Sequence, residues 1–344
     1  MRVLLLGADG FIGRRVTDRL LVDQELQVTV LGRRDSADIR FDLTTGSPGA
    51  LARFLDAVAP QVVINCAGAT YGSSRTLIRA NTLAVATVCE AIRRSREPAR
   101  LVHVGSAAEY GPVPGGVPVS EGAEPRPVGP YGVSKLAGTE LVLASGLDAT
   151  VLRVFDVVGP GAPTASLFGR LAEGLRRALE REESQVRMPD LSGYRDFVDV
   201  RDVARAIQAA AVSAATGVIN IGSGHAVRAR EAAQLLVRAS GFEGSIVEEN
   251  RPVLLPAQAG GPGEHPDRHG SQHGERHGER HVTPYHPGHR AAESRPAEGR
   301  GPAGEPVPWR QADVRTARDR LGWRTQVPLE ESLGDVWLET ACRV

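Results

Sequence analysis

Lysine is all but missing from this 344-residue chain: of its 41 Lys and Arg residues only Lys135 is a lysine. A GC-rich coding bias accounts for the arginine excess in bulk. An ammonium point charge and a planar guanidinium are not interchangeable, however, so the position of the one exception carries information. Net charge is absent too, because 41 acidic residues balance the basic ones. That excludes the electrostatic footprint of a nucleic-acid or anionic-membrane binder. No apolar run approaches the ~20 residues that a membrane-crossing helix needs. The apolar stretch Met1–Leu6 lacks a cleavage-site pattern and runs into a glycine-rich motif, so it reads as a strand and not as a signal peptide. Cys66, Cys89 and Cys342 are odd in number and far apart, which argues against a disulfide framework or a metal spacing. A reducing cytoplasm is the expected setting, and no metal site is expected.

What the chain does have is alternation. Strand-like runs at 2–6, 27–31, 38–41, 61–65, 101–105, 149–154 and 218–221 interleave with helical patterns at 11–21, 50–58, 76–94, 131–144 and 201–212. Continuous apolar strands separated by helices predict an α/β fold, a doubly wound parallel (Rossmann) sheet covered on both faces. A last amphipathic helix is predicted over 329–340. The 57 residues from Pro252 to Pro308 differ: they hold ten Pro, ten Gly and seven of the nine His. Such a segment buries too little apolar surface to offset its ordering entropy and is expected to be disordered. Its His265, His269, His273, His277 and His281 recur every four residues, but Gly270, Gly274 and Gly278 oppose a helix that would stack them as metal ligands.

Gly7-Ala8-Asp9-Gly10-Phe11-Ile12-Gly13 sits between the first strand and the first helix, the context that gives a glycine motif meaning. Gly7 permits the tight turn, Gly10 lets the backbone approach a pyrophosphate, and Gly13 lets the helix pack on the sheet. A dinucleotide pyrophosphate is then expected on the free N–H groups of the helix N-terminus. At the end of the second strand an acidic residue would hydrogen-bond the ribose of NAD. This chain has Gly32-Arg33-Arg34 there. Two guanidiniums suit a 2′-phosphate, so NADP(H) is favoured over NAD.

The lone lysine closes Tyr131-Gly132-Val133-Ser134-Lys135, after Pro130. Positions i and i+4 share a helix face. The ammonium is therefore expected to lower the Tyr131 pKa, fitting the phenol as general acid to a carbonyl or base to an alcohol. Ser106 follows the fifth strand, at the carboxyl edge where doubly wound sheets bind ligands, and can polarise the same oxygen.

Together these features resemble the extended short-chain dehydrogenase/reductases, in the NAD-dependent epimerase/dehydratase family of nucleotide-sugar enzymes. Gly7–Gly13 fits GxxGxxG, Ser106 with Tyr110-Gly111 fits S-x-x-x-Y-G, and Tyr131 with Lys135 fits Y-x-x-x-K. The segments Arg153–Pro160, Arg195–Val200, Asn220–Gly224 and Leu321-Gly322-Trp323 match further family motifs. The resemblance implies Ser106, Tyr131 and Lys135 as catalytic residues. For the cofactor it implies Gly7, Asp9, Gly10, Phe11, Ile12, Gly13, Arg33, Arg34, Asp42, Leu43, Ala67 and Gly68, together with Tyr131 and Lys135. For a nucleotide-diphosphate sugar it implies Asn81, Ser106, Asp156 and Arg195, the last on the diphosphate. Asp156 departs from the family's Asn at that position. A homodimer through the helices at 76–94 and 131–144 is a further implication.

Dehydratases of the family carry Asp-Glu directly after the catalytic Ser or Thr. Ala107 and Ala108 stand there in this chain and cannot transfer protons. Hydride chemistry at a sugar carbon remains. The arginines at 33 and 34, and the likeness of Ser106–Gly111 to S-x-x-E-Y-G of 4-keto-6-deoxyhexose reductases, favour NADPH-dependent reduction of a 4-keto group. A 4-epimerase with tightly held NAD is the alternative, and a non-catalytic dinucleotide sensor is the alternative of another class. The expected division is a dinucleotide-binding domain at 1–158 and 196–224 and a substrate lobe at 159–195 and 225–344, with an insertion at about 256–305.

Overall fold

The computed structural model describes residues 1–249 and 308–342. In chain order its first elements are β1 (Arg2–Leu6), α1 (Phe11–Leu21), β2 (Gln27–Gly32), β3 (Ile39–Arg40), α2 (Pro48–Val58), β4 (Val62–Asn65), α3 (Ser74–Ile78) and α4 (Ala84–Arg94). There follow β5 (Arg100–Ser106), α5 (Gly129–Ala144), β6 (Ala149–Val154), β7 (Asp156–Val158), α6 (Leu167–Glu180), β8 (Gln185–Met188), β9 (Tyr194–Asp199) and α7 (Val200–Val212). The last are β10 (Gly217–Ile221), β11 (Ala226–Arg228), α8 (Ala229–Ser240), β12 (Ser245–Glu248), α9 (Arg315–Leu321) and α10 (Leu329–Ala341).

Seven strands form one sheet in the order β10-β6-β5-β4-β1-β2-β3, and every neighbouring pair is parallel. The chain reverses direction across the sheet between β1 and β4, so a crevice opens at the carboxyl ends of these strands. Side chains alternate between faces, as strand geometry requires. Val3, Leu5, Val62, Ile64 and Val102 pack with α1 and α7, whereas Leu4, Leu6, Val63 and Leu101 pack with α2, α4 and α5. Both faces are covered, which is why the strands read as unbroken apolar runs. A third core joins α6, α8 and α10 beside two small sheets, β11-β9-β7 and β12-β8.

Helix starts follow local chemistry. Ser47 accepts the Ala50 N–H ahead of Pro48 in α2, and Asp199 accepts the Arg201 N–H at the start of α7. Two expectations need correction. The strand expected over 38–41 is only Ile39–Arg40, because Asp38 turns its carboxylate back onto the Val30 N–H. The helix expected over 76–94 contains a π-helical turn, Arg79–Leu83, between α3 and α4. Strand β9 pairs with β7 and β11 and not with the large sheet. The histidine repeat and the insertion at 256–305 lie outside the described residues.

Candidate functional site

The glycine turn is built as its sequence demands. Gly7 has φ +80°, and a Cβ on it would stand 2.6 Å from the Ala67 nitrogen. A Cβ on Gly13 would stand 1.9 Å from the Gly7 carbonyl oxygen, so only glycine lets α1 approach the turn. Gly10 is the N-cap of α1 and provides no capping side chain, and the first turn carries no acid. The N–H groups there are left for an anion, with the positive end of the helix dipole behind them. Phe11 and Ile12 do not face this opening alone: Phe11 packs against the α6–α8–α10 core and Ile12 against the α1–α7 core. Leu43 likewise belongs to a core. Burial raises the Asp42 carboxyl, but the Thr44 N–H and hydroxyl at 2.8 and 2.7 Å, with Arg33 nearby, hold it below its ordinary value.

Beyond β2, Arg34 is exposed and its Nε lies 3.8 Å from Asp9 Oδ2. Beyond β4, the Asn65 carboxamide accepts the Ala67 N–H at 3.0 Å, fixing the loop that closes over Gly7. Asn81, expected on the substrate side, is turned inward and 1% exposed. Its Oδ1 accepts the Ala69 N–H, and its Nδ2 donates to the Ala69 carbonyl and to Ser134 Oγ. The π turn brings the Asn81 carbonyl to α5, where a Cβ on Gly138 would stand 2.2 Å from it. In this structure the Asn81 amide braces the loop after β4 against the helix that carries Tyr131.

Ser106 ends β5 and caps a single 3₁₀ turn, Ala107–Glu109. Glu109 is fully buried. Its Oε1 accepts the Ser106 N–H at 2.7 Å, and its Oε2 accepts Arg153 Nε at 2.7 Å. The Arg153 guanidinium lies 4.6 Å from the Tyr110 ring centroid, and the Tyr110 hydroxyl donates to Asn220 Oδ1 at 2.7 Å. These contacts fix the backbone of the serine from below. Tyr131, in the first turn of α5, is close enough to Ser106 for that side chain to counter part of the rise in the phenol's pKa.

Lys135 lies one turn on and is buried, donating to the Val104 carbonyl at 2.6 Å. Burial lowers its pKa, against the pull of Glu109 and Cys66. The expected depression of Tyr131 is not found. Burial pushes the phenol above its ordinary value of 10.0; the Ser106 hydrogen bond opposes this, while the charges of Glu109 and Asp156 and the nearby Tyr71 add to it. Burial of the phenol outweighs the ammonium, which is drawn to the Val104 carbonyl, and the charges of Glu109 and Asp156 add to it. Below this set lies His103, fully buried and hydrogen-bonded through Nδ1 to Asn65. Burial and the Lys135 charge hold its pKa well below the ordinary 6.5.

On the other side of the crevice Arg195 Nη1 meets Asp156 Oδ1 at 3.1 Å, and Arg310 Nη1 lies 3.6 Å from Asp156 Oδ2. Next to Arg195, the buried Asp196 accepts N–H groups from Ser223, Gly224 and Ala312 and the Ser223 hydroxyl. It therefore ties the 310–313 segment to β9. Arg310 and Tyr71, whose hydroxyl donates to the Ala165 carbonyl at 2.9 Å, were not anticipated. The return of ordered composition at Trp309 was the available signal for Arg310. Trp323 of the Leu-Gly-Trp motif is a core residue whose Nε1 donates to the Asp202 carbonyl at 2.9 Å.

A glycine turn under a helix N-terminus, facing a serine, tyrosine and lysine on one sheet edge, defines a dinucleotide-dependent oxidoreductase of the Rossmann class. Residues 3–222 match the NAD dependent epimerase/dehydratase family, and the chain belongs to that family. It is 34% identical, over 98% of its length and 94% of the relative, to dTDP-6-deoxy-L-talose 4-dehydrogenase (NAD(P)(+)) of Kitasatospora kifunensis. It is 27% identical to GDP-6-deoxy-D-mannose reductase of Pseudomonas aeruginosa, over 72% of this chain and 83% of the relative. Among solved structures, MoeE5 in complex with UDP-glucuronic acid and NAD superposes with a TM-score of 0.73 at 26% identity, covering 99% of each chain. The protein is an NAD(P)-dependent enzyme of the extended short-chain dehydrogenase/reductase type. Among the described residues no helix is long and apolar enough to cross a membrane, and no group of three or more His, Cys, Asp or Glu is placed to hold a metal.

Proposed function

We propose that this enzyme reduces the 4-keto group of a nucleotide-linked 4-keto-6-deoxyhexose, with NADPH favoured over NADH. The observation that carries this reading is the Ser106–Tyr131–Lys135 set at the carboxyl edge of the sheet, facing the glycine turn, with Lys135 buried against the Val104 carbonyl. A phenol held above 10.0 by burial and two carboxylates is protonated at neutral pH, ready to donate to a forming alkoxide. Ala107 and Ala108 supply no acid–base pair for dehydration. The two 6-deoxyhexose relatives support the sugar class.

A bound NADPH supplies the hydride. Gly7, Gly10 and Gly13 let the backbone approach its pyrophosphate; Asp42, Ala67 and Gly68 line the approach, and Arg33 and Arg34 suit the 2′-phosphate. Ser106 donates a hydrogen bond to the sugar carbonyl oxygen, and Tyr131 delivers the proton to that oxygen. Lys135 holds the ribose next to the reacting carbon. Arg195 takes the substrate diphosphate, exchanging Asp156 for phosphate oxygens. The expected division into a dinucleotide-binding part, 1–158 and 196–224, and a substrate lobe is supported by the separate core around α6, α8 and α10. Exposed Ile78, Leu83, Val133, Leu141 and Leu143 on the helices at 76–94 and 131–144 support a homodimer through that surface.

The test is to mix purified protein with NADPH and a dTDP-4-keto-6-deoxyhexose and follow nicotinamide absorbance. Stoichiometric NADPH consumption is expected. A protein purified with NAD already bound, interconverting two nucleotide sugars without net NADPH use, would instead make it an epimerase.

A further inference from the structure

NAD-binding Rossmann domains offer the adenosine ribose an acidic side chain from the end of the second strand. The last residue of β2 in this chain is Gly32, which has no side chain to offer. The space is nevertheless not free of carboxylate. Asp9, from the glycine turn, points its Oδ2 across to the same place, 3.9 Å from where a Cβ on Gly32 would stand. The carboxylate is held there by the loop after β2: Ser36 Oγ donates to Asp9 Oδ1 at 3.4 Å, and Arg34 Nε lies 3.8 Å from Oδ2. Asp38 in turn closes that loop by accepting the Val30 N–H at 2.8 Å. An acid and arginines therefore stand together where the two cofactors differ.

We propose that Asp9 reads the adenosine ribose in place of the side chain that Gly32 lacks, so that this enzyme binds NADH as well as NADPH. Its preference is then set by the balance between Asp9 and the Arg33–Arg34 pair. The inference rests on the NAD(P) site described above and refines the cofactor half of the proposed function. With NADH, Asp9 accepts hydrogen bonds from the ribose hydroxyls. With NADPH, Arg34 leaves Asp9 for the 2′-phosphate, and Asp9 then stands as a repelling neighbour. Asp9 thus favours one cofactor and opposes the other, an arrangement that limits discrimination in either direction.

Direct binding measures this without turnover. Titrating the full chain with NADPH and with NADH, by nicotinamide fluorescence or calorimetry, gives the ratio of the two Kd values. Wild type is expected to bind both within about tenfold of each other. Asp9→Asn keeps the side-chain size and removes the charge; it is expected to shift the ratio about tenfold toward NADPH, weakening NADH and tightening NADPH. A Cβ at position 32 meets only Ala37 and Asp9 at ordinary contact distances, so Gly32→Asp is sterically tolerated. In the Asp9→Asn background it is expected to restore NADH binding. A shift of threefold or more toward NADPH supports the inference. A smaller shift, or equal weakening of both cofactors, overturns it while leaving the NAD(P) site standing. A wild-type protein that bound neither cofactor would overturn the site and this inference together.

Discussion

The floor of the active site and its rim are built from the same residue types and behave oppositely. On the floor, Glu109 and Arg153 are buried, each within 2.7 Å of its partner, and continue through Tyr110 to Asn220. At the rim, Arg34 with Asp9 and Arg195 with Asp156 are longer and partly exposed. A buried pair that loses one member leaves an uncompensated charge, so it holds one geometry. A half-exposed pair contributes little and is readily exchanged for a ligand of the same sign. The floor therefore fixes where the proton donor stands, and the rim recognises anionic parts of cofactor and substrate. The lesson is that a charge pair's role follows from its burial, not from its residue types.

Substitutions on the floor and at the rim break this division in different ways. Tyr131→Phe removes the proton donor and is expected to lower kcat by about 10² to 10⁴, with cofactor Kd unchanged in a binding titration. Arg195→Met, at the rim, is expected to raise the KM of the nucleotide sugar by about 10- to 100-fold with little change in kcat or in melting temperature. Glu109→Gln, on the floor, should do the reverse, lowering stability by about 3 to 5 kcal/mol in denaturant unfolding. Glu109→Gln/Arg153→Met, which removes both charges, is expected to recover most of that loss.

The same Glu109 variant has a signature in pH. Glu109 raises the Tyr131 pKa, and reduction needs the protonated phenol, so activity is lost as pH rises through that pKa. Removing the charge lowers the pKa, and the alkaline limb of the reduction profile is expected to move to lower pH. The smallest effect concerns His103. It stays neutral when folded but binds a proton below 6.5 when unfolded, so stability falls as pH drops below that value. The slope is at most about 1.4 kcal/mol per pH unit, and His103→Gln is expected to flatten it in melting curves.

Most of the sheet was legible because β1, β4, β5 and β6 are buried on both faces and so read as apolar runs. The glycine turn and the Tyr131–Lys135 spacing were legible because each needs specific residue types at fixed separations. The smaller sheets were not, since β7 and β11 are three residues long and carry no periodicity to read. The roles of Asn81 and Glu109 were hidden for another reason. Whether a polar side chain faces a ligand or a neighbouring backbone is decided by long-range packing, such as the π turn that sets Asn81 against α5. Spacing alone did not give the effect of Lys135 on Tyr131, because burial raises the phenol and the Val104 carbonyl of β5 captures the ammonium.

The direction of hydride flow is the claim on which the rest depends. It is tested by supplying NADPH with deuterium at the transferable C4 position, together with a dTDP-4-keto-6-deoxyhexose, and locating the label by mass spectrometry and NMR. One deuterium per product sugar is expected, at C4, with the labelled product forming about 10² to 10⁴ times more slowly when Tyr131→Phe replaces the wild type. A product sugar without deuterium, formed at the wild-type rate, would contradict it.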